Sequence, residues 1–185
     1  MKFTILFFIL MGVLGIHKII TLYLTKKNQE IKVTKDRLIN TIGTFYLLIF
    51  FGTIIEYFIL KPRVNFLISI FGVSLCFFGV WFQIWSFQSL KDNWSFYIEP
   101  KDKAKLITDK AYKYFRHPAS LGFIFEGVGI PLVFNTFFIF LLALLIYSPL
   151  ILLRIYFEEK ILIKKFGRDY LEYKSRTPIL FKLKK

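Results

Sequence analysis

The sequence predicts an all-α integral membrane protein of about five transmembrane helices, the last two folded as a helical hairpin. Three observations lead there. Apolar residues fill 56% of the 185 positions, and the mean hydropathy is +0.55, more than a soluble domain carries. They gather into runs of roughly 20 residues, the length that crosses a hydrocarbon core about 30 Å thick at about 1.5 Å per residue. The 26 Lys and Arg, against 12 Asp and Glu, collect at the ends of those runs, where they attract anionic head groups and set orientation.

The first run is Phe3 to Leu24. Lys2 ahead of it imitates a secretory signal, but no A-x-A cleavage site follows, so the run is read as a span. Leu38 to Leu60 and Val64 to Leu90 are the second and third spans. The fourth run, Ala119 to Phe157, would make a single helix of about 60 Å, so it is expected to fold back on itself. The expected break is "GIPLVFNT", with Pro131 interrupting the helical ladder and Asn135 capping the next helix. Two units follow. Residues 1–60 are an N-terminal helix pair, and residues 64–185 a membrane domain made of span 3, a cytoplasmic loop at 91–118, the hairpin 119–157 and a C-terminal helix and tail at 158–185.

Charge tests the count. Five basic residues, Lys26, Lys27, Lys32, Lys35 and Arg37, follow span 1; seven lie from Lys91 to Arg116; nine follow Phe157. Only Lys2, Lys61 and Arg63 lie on the other side, which makes the arrangement N-out and C-in. The Phe, Ile and Lys bias suggests an AT-rich genome, and the expected location is a bacterial inner membrane. The segment "LKDNWSFYIEPKDKAKLITDKAYKYFRHP" is too mixed to span and too aromatic for a loose linker, and reads as an interfacial lid. In the tail, Ile161, Leu162, Lys165, Phe166, Tyr170 and Tyr173 recur at spacings near three and four, an amphipathic helix interrupted at Gly167 and ended by Pro178.

Other chemistries lack their residues. One cysteine, Cys76, and two distant histidines provide neither a disulfide framework nor a metal-ligand cluster, so no metal is implied. The positive charge is explained by topology, without nucleic acid. There is no G-x-G-x-x-G after a strand, no P-loop and no G-x-S-x-G.

Three constellations remain. Arg116, His117 and Pro118 stand at the start of span 4, either as an interfacial anchor or as an anion site at a helix N-terminus. Arg154 and Glu158, four residues apart, share one face of span 5, with Glu159 turned about 100° away. They form an ion pair or line a pocket; because span 5 returns to the cytoplasmic side, they should meet the first group. Glu126, between Gly122 and Gly129, faces protein, either satisfied by Gln83 or in contact with substrate. Glu56, His17 and Lys18 are expected at interfaces.

The residues "KLITDKAYKYFRHPASLG", followed after a two-helix spacer by "RIYFEEKILIKKFGRDYLEYKSRTP", resemble the isoprenylcysteine carboxyl methyltransferases and their bacterial relatives over roughly residues 72–180. Phospholipid N-methyltransferases share part of the pattern. The resemblance implies a membrane enzyme that uses S-adenosylmethionine to methylate a lipidic or prenylated acceptor. It further implies that Lys105, Leu106 and Ile107 present backbone to the cofactor, Tyr112 walls it, and His117, Pro118, Ala119 and Ser120 form the following turn. Glu158 matches the cofactor-binding acid, and Arg154 the arginine directed at the acceptor; Arg116, Glu159 and Glu126 are further candidates. One position departs: where the family writes R-H-P-x-Y, this chain has Ser120. An amine acceptor, as in phospholipid N-methylation, would require a base such as His117 or a glutamate. Sterol-type reductases using NADPH also place R-H-P before a helix, but their glutamate follows the glycine closely, whereas Gly122 precedes Phe123 and the next acid is Glu126. A non-enzymatic membrane accessory protein, its basic loops bound to anionic lipid, would use Arg154 and Glu158 only as a pair.

Overall fold

The computed structural model describes residues 2–27, 37–91 and 105–179, and the regular structure among them is helical. In chain order the helices are α1 (Lys2–Lys27), α2 (Arg37–Leu60), α3 (Phe66–Leu90), α4 (Ala111–Tyr114), α5 (Pro118–Phe134), α6 (Phe137–Leu142), α7 (Ser148–Phe166) and α8 (Arg168–Arg176), with a π-helical turn at Ala143–Tyr147 joining α6 to α7. Residues 92–104 of the expected lid lie outside the described residues, as do Lys32, Lys35 and the last three lysines.

Arg37–Leu60, Phe66–Leu90 and the continuous rod Phe137–Phe166 are long and apolar enough to cross a membrane; Ile9–Thr21 and Pro118–Phe134 are shorter apolar helices. Large apolar side chains such as Leu67, Ile59 and Phe66 lie exposed around the bundle, where water would penalise them and lipid does not. The protein is an integral membrane protein.

α3 and α5 run antiparallel with their backbones almost touching. A Cβ on Gly72 would come within 2.5 Å of the Val133 nitrogen, and one on Gly122 within 2.6 Å of the Gly79 carbonyl. Gly72 faces Gly129 and Gly79 faces Gly122, so each helix offers two small residues seven apart to the other. Lipid provides no hydrophobic drive for helix pairing, and this close packing supplies dispersion and brings Gln83 against Glu126. Asn65 starts α3 by accepting from the Leu67 and Ile68 amides at 3.0 and 3.4 Å.

The hairpin folds back where expected in the chain, but by another device. Pro131 stays inside α5, since its fixed φ is helical and it removes a single donor. Asn135 ends α5 instead of starting the next helix: its φ is +57°, its amide donates to Leu132 O, and the Thr136 amide donates to Pro131 O, which is a Schellman closure. Its side chain bonds the Asn65 amide at 3.0 Å and the Ser69 hydroxyl at 2.8 Å, tying the turn to α3. Glu56, expected at an interface, accepts from the Phe138 and Ile139 amides at 3.1 and 2.9 Å and so caps α6 from α2.

Tyr147 ends the π turn, buried against Gly127, where a Cβ would lie 2.4 Å from its ring. Ile49, Ile130, Phe134, Tyr147 and Ile151 are at the centre of the core joining α2, α5 and α7. Gly167, at φ +55°, breaks α7 from α8, as the sequence suggested.

Candidate functional site

The beginning of α5 and the end of α7 meet at the basic end of the bundle. Because α5 leaves Arg116 and His117 at its start while α7 arrives carrying Arg154, Glu158 and Glu159, two distant charge groups become neighbours. They separate into a clamp and an open cluster.

In the clamp, Arg116 Nε donates to Glu159 Oε1 at 2.7 Å, while its Nη1 donates to the carbonyls of Lys174, at 3.1 Å, and Thr177. The Arg116 amide donates to Pro178 O at 2.9 Å. Lys174 Nζ completes Glu159 at 2.7 Å. The Tyr173 hydroxyl donates to Tyr112 O at 2.6 Å, and the Tyr112 hydroxyl shares a 2.6 Å bond with Ser86. Thus α8 and the chain after it are tied beneath α4 and the start of α5. Burial pushes the hydroxyls of Tyr112, Tyr170 and Tyr173 well above the ordinary tyrosine range, so they remain neutral; that of Tyr170 is buried without a hydrogen-bond partner.

In the open cluster, His117 is 4% exposed, between two carboxylates: Nδ1 lies 3.8 Å from Glu158 Oε2 and Nε2 3.5 Å from Glu159 Oε1. Arg154 Nη2 lies 3.7 Å from Glu158 Oε2, and its Nη1 donates to the Ser120 hydroxyl at 3.4 Å. These distances are long for hydrogen bonds. His117 Nε2 and Glu158 Oε2 are buried with no hydrogen-bond partner. Ser120, standing where the motif usually has tyrosine, is therefore beside the arginine. Pro118 opens α5 and Ala119 packs on the core, while Lys105, Leu106 and Ile107 lie in chain without helix, the latter two half-buried.

Arg154 also lines a cavity of about 220 Å³ between α1, α2, α5 and α7, together with Ile39, Ile42, Tyr46, Phe123, Tyr147 and Ile151. Its wall also includes Lys18, which does not sit at an interface: Lys18 Nζ lies 2.5 Å from Glu126 Oε2 and donates to Gln83 Oε1 at 2.9 Å. Glu126, fully buried, also accepts from the Tyr46 hydroxyl at 2.9 Å and from Gln83 Nε2 at 2.7 Å. Its satisfaction by Gln83 was legible from their facing helices. Lys18, Tyr46 and Tyr147 were missed as wall residues; a cation inside an apolar run was the available signal for Lys18.

The chain is similar to known proteins. Over 73 residues the chain is 34% identical to a protein-S-isoprenylcysteine O-methyltransferase of Schizosaccharomyces pombe, a match covering 40% of this chain and 31% of the relative. It is 38% identical over 73 residues to methanethiol S-methyltransferase 2 of Bradyrhizobium diazoefficiens, covering 40% of this chain and 27% of that one. The chain therefore spans about a third of the length of these curated relatives. A solved structure of the eukaryotic intramembrane Ras methyltransferase, isoprenylcysteine carboxyl methyltransferase, superposes with a TM-score of 0.61 at 20% identity, over 79% of this chain and 52% of that one, so the fold is shared. The resemblance read from R-H-P, R-x-x-x-E-E and F-G-x-x-Y-x-x-Y is borne out by these matches. The phospholipid methyltransferase family profile matches residues 67–169, more than half the chain, and the protein belongs to that family.

Proposed function

We propose that the protein is an S-adenosylmethionine-dependent methyltransferase that methylates the carboxylate of a lipidic, prenylcysteine-like acceptor held in the cavity. The observation that carries this is the open cluster: two buried polar atoms without partners, His117 Nε2 and Glu158 Oε2, the latter beside Arg154, whose side chain also lines the apolar cavity. Buried groups of this kind are costly unless a ligand meets them.

The residues fit the proposed cofactor. Glu158 Oε2 can accept from ribose hydroxyls or an amino group, the His117 imidazole can meet a carboxylate or hydroxyl, and the half-buried chain at Leu106 and Ile107 leaves backbone for an adenine edge. When bound, S-adenosylmethionine supplies an electrophilic methyl group on a sulfonium. Arg154 then holds the acceptor carboxylate by paired hydrogen bonds in line for attack, and Ile39, Ile42 and Ile151 exclude water around it. A carboxylate acceptor is already ionised and loses no proton, so neither His117 nor Glu158 has to act as a base. A second reading, an amine or thiol acceptor, is favoured by the same unpartnered His117 Nε2, which could take the acceptor's proton. In both readings the basic end lies in the cytoplasm of a bacterial cell.

Labelled S-adenosylmethionine added to the purified protein with total membrane lipid tests the proposal. Label released as methanol by mild base identifies a carboxyl ester; label stable to base supports the second reading. No transfer, together with no binding of S-adenosylhomocysteine by calorimetry, rejects both.

A further inference from the structure

Three helices fix the depth of the apolar cavity. Ser120 on α5 meets Arg154 on α7, and two turns farther from the basic end Gly127 meets the ring of Tyr147. On α2, Ile39 and Tyr46 are also two turns apart, and the Tyr46 ring centroid lies 6.4 Å from that of Tyr147. Two turns rise about 10 Å, so the cavity runs about that far from the level of Arg154 to a floor made by two tyrosine rings.

The floor is held in place. The Tyr46 hydroxyl donates to Glu126 Oε1 at 2.9 Å, so its ring cannot turn aside without breaking a buried bond. Tyr147 is fully packed against Gly127. One turn beyond the rings, Ile49 on α2 and Ile130 on α5 have no exposure, and the core closes there. Neither cation of the wall opens a polar path. The Lys18 ammonium is engaged by Glu126 and Gln83 and covered by the rings of Tyr46 and Phe123, 4.7 and 4.6 Å from their centroids. Arg154 contributes its stem, since its guanidinium reaches toward Ser120 and Glu158. An occupant meets hydrocarbon and ring edges.

Midway along, α2 has no side chain. Ile39, Ile42, Gly43 and Tyr46 follow the i, i+3, i+4, i+7 stripe that α2 turns to the cavity. Gly72 and Gly122 lie so close to a neighbouring backbone that a Cβ would collide, but a Cβ on Gly43 would meet nothing within 4 Å. Glycine weakens a helix, and at this position it leaves space instead of allowing close packing.

Length and volume agree on what fits. An extended chain advances about 1.2 Å per bond, so about 10 Å takes about eight bonds. An apolar cavity of about 150 Å³ takes a benzene ring, so one of about 220 Å³ takes about nine carbons in proportion. Resting on the methyltransferase reading, we propose that Gly43, Tyr46 and Tyr147 set specificity by tail length: the methyl acceptor carries a plain hydrocarbon tail about eight carbons long. Its end rests on the two tyrosine rings, and its middle occupies the space beside Gly43. A tail bearing a hydroxyl would lose its water and find no partner. A much longer one would have to leave past the exposed Leu47, where the protein adds nothing to its affinity.

N-acetyl-S-alkylcysteines with butyl, octyl and dodecyl tails test the proposal. Their binding to the full chain in detergent is measured by calorimetry and corrected for the partition of each probe into detergent alone. Each buried methylene tightens binding up to about fourfold. In the wild type, octyl is expected to bind at least about tenfold more tightly than butyl, and dodecyl no more tightly than octyl. Gly43→Leu fills the middle of the cavity and is expected to weaken octyl at least about tenfold more than butyl. Tyr147→Ala removes half of the floor and is expected to make dodecyl the tightest probe. Should Tyr147→Ala fold poorly, Gly43→Leu decides alone, because no atom stands near its Cβ. Dodecyl binding more tightly than octyl in the wild type overturns the proposal. So do equal losses for octyl and butyl in Gly43→Leu, an octyl preference kept by a folded Tyr147→Ala, or no binding of any probe. Failure of the methyltransferase reading is separate: it appears as absent S-adenosylhomocysteine binding and absent label transfer, which none of the probe measurements requires.

Discussion

Arg116 and His117 are adjacent in the chain, as are Glu158 and Glu159, yet each pair divides between opposite tasks. Arg116 and Glu159 spend their hydrogen-bonding capacity on the protein, bonding each other, Lys174 and the carbonyls beyond α8. His117 and Glu158 leave buried atoms unmet. The cause is geometric: successive residues on a helix point about 100° apart, so a doubled carboxylate serves two directions at once. Glu159 faces the C-terminal helix, and Glu158 faces Arg154. A binding cluster has to keep unsatisfied groups, and a neighbouring clamp whose charged groups are paired can hold it in shape.

Breaking the clamp should have the largest effect. Arg116→Met leaves Glu159 buried without its guanidinium and releases the backbone carbonyls of Lys174 and Thr177, and should lower stability by about 3 kcal/mol, read as a large fall in thermal midpoint in detergent. Cofactor binding should be lost with it. Glu158→Gln sharpens the contrast from the other side: stability should stay within about 1 kcal/mol of wild type, while S-adenosylhomocysteine affinity, measured by calorimetry, falls at least tenfold. If the two variants had equal effects on stability, the division into clamp and open cluster would be wrong.

Tyr173→Phe removes one bond to the Tyr112 carbonyl and should cost about 1 kcal/mol. It also has a pH signature. Burial raises the native pKa of Tyr173 above its unfolded value, so its contribution is complete below the unfolded value near 10 and is lost as pH rises from there through the native value. Thermal midpoints should fall steeply above about pH 10 in the wild type and less steeply in Tyr173→Phe. The smallest effect is expected at Ser120→Ala, which removes a 3.4 Å contact to Arg154: stability should change by under about 1 kcal/mol, and acceptor KM should rise a few-fold with kcat nearly constant.

Much of the bundle was legible because its signals are local. Apolar run lengths located the helices, Gly167 marked the α7 to α8 break, and the excessive length of the run from Ala119 required a hairpin. Pro131 misled because a proline near a helix end removes only one donor, whereas the actual closure depends on Asn135 adopting φ +57° against Asn65 and Ser69 on α3, a partner no local pattern reveals. The open cluster was legible through its motifs. Lys18 was not, because its partner Glu126 belongs to a distant helix, and a cation near a span end ordinarily snorkels.

The π turn at Ala143–Tyr147 acts as a phase setting in the rod Phe137–Phe166. A π turn accommodates one residue more than an α-helix of the same rise, and one residue is about 100° of rotation. Deleting a single residue there would let an unbroken α-helix form and swing the stripe of α6 that Glu56 caps out of step with the stripe of α7 that bears Arg154 and Glu158. The number of residues in this turn, more than the identity of any of them, decides which way Glu158 points.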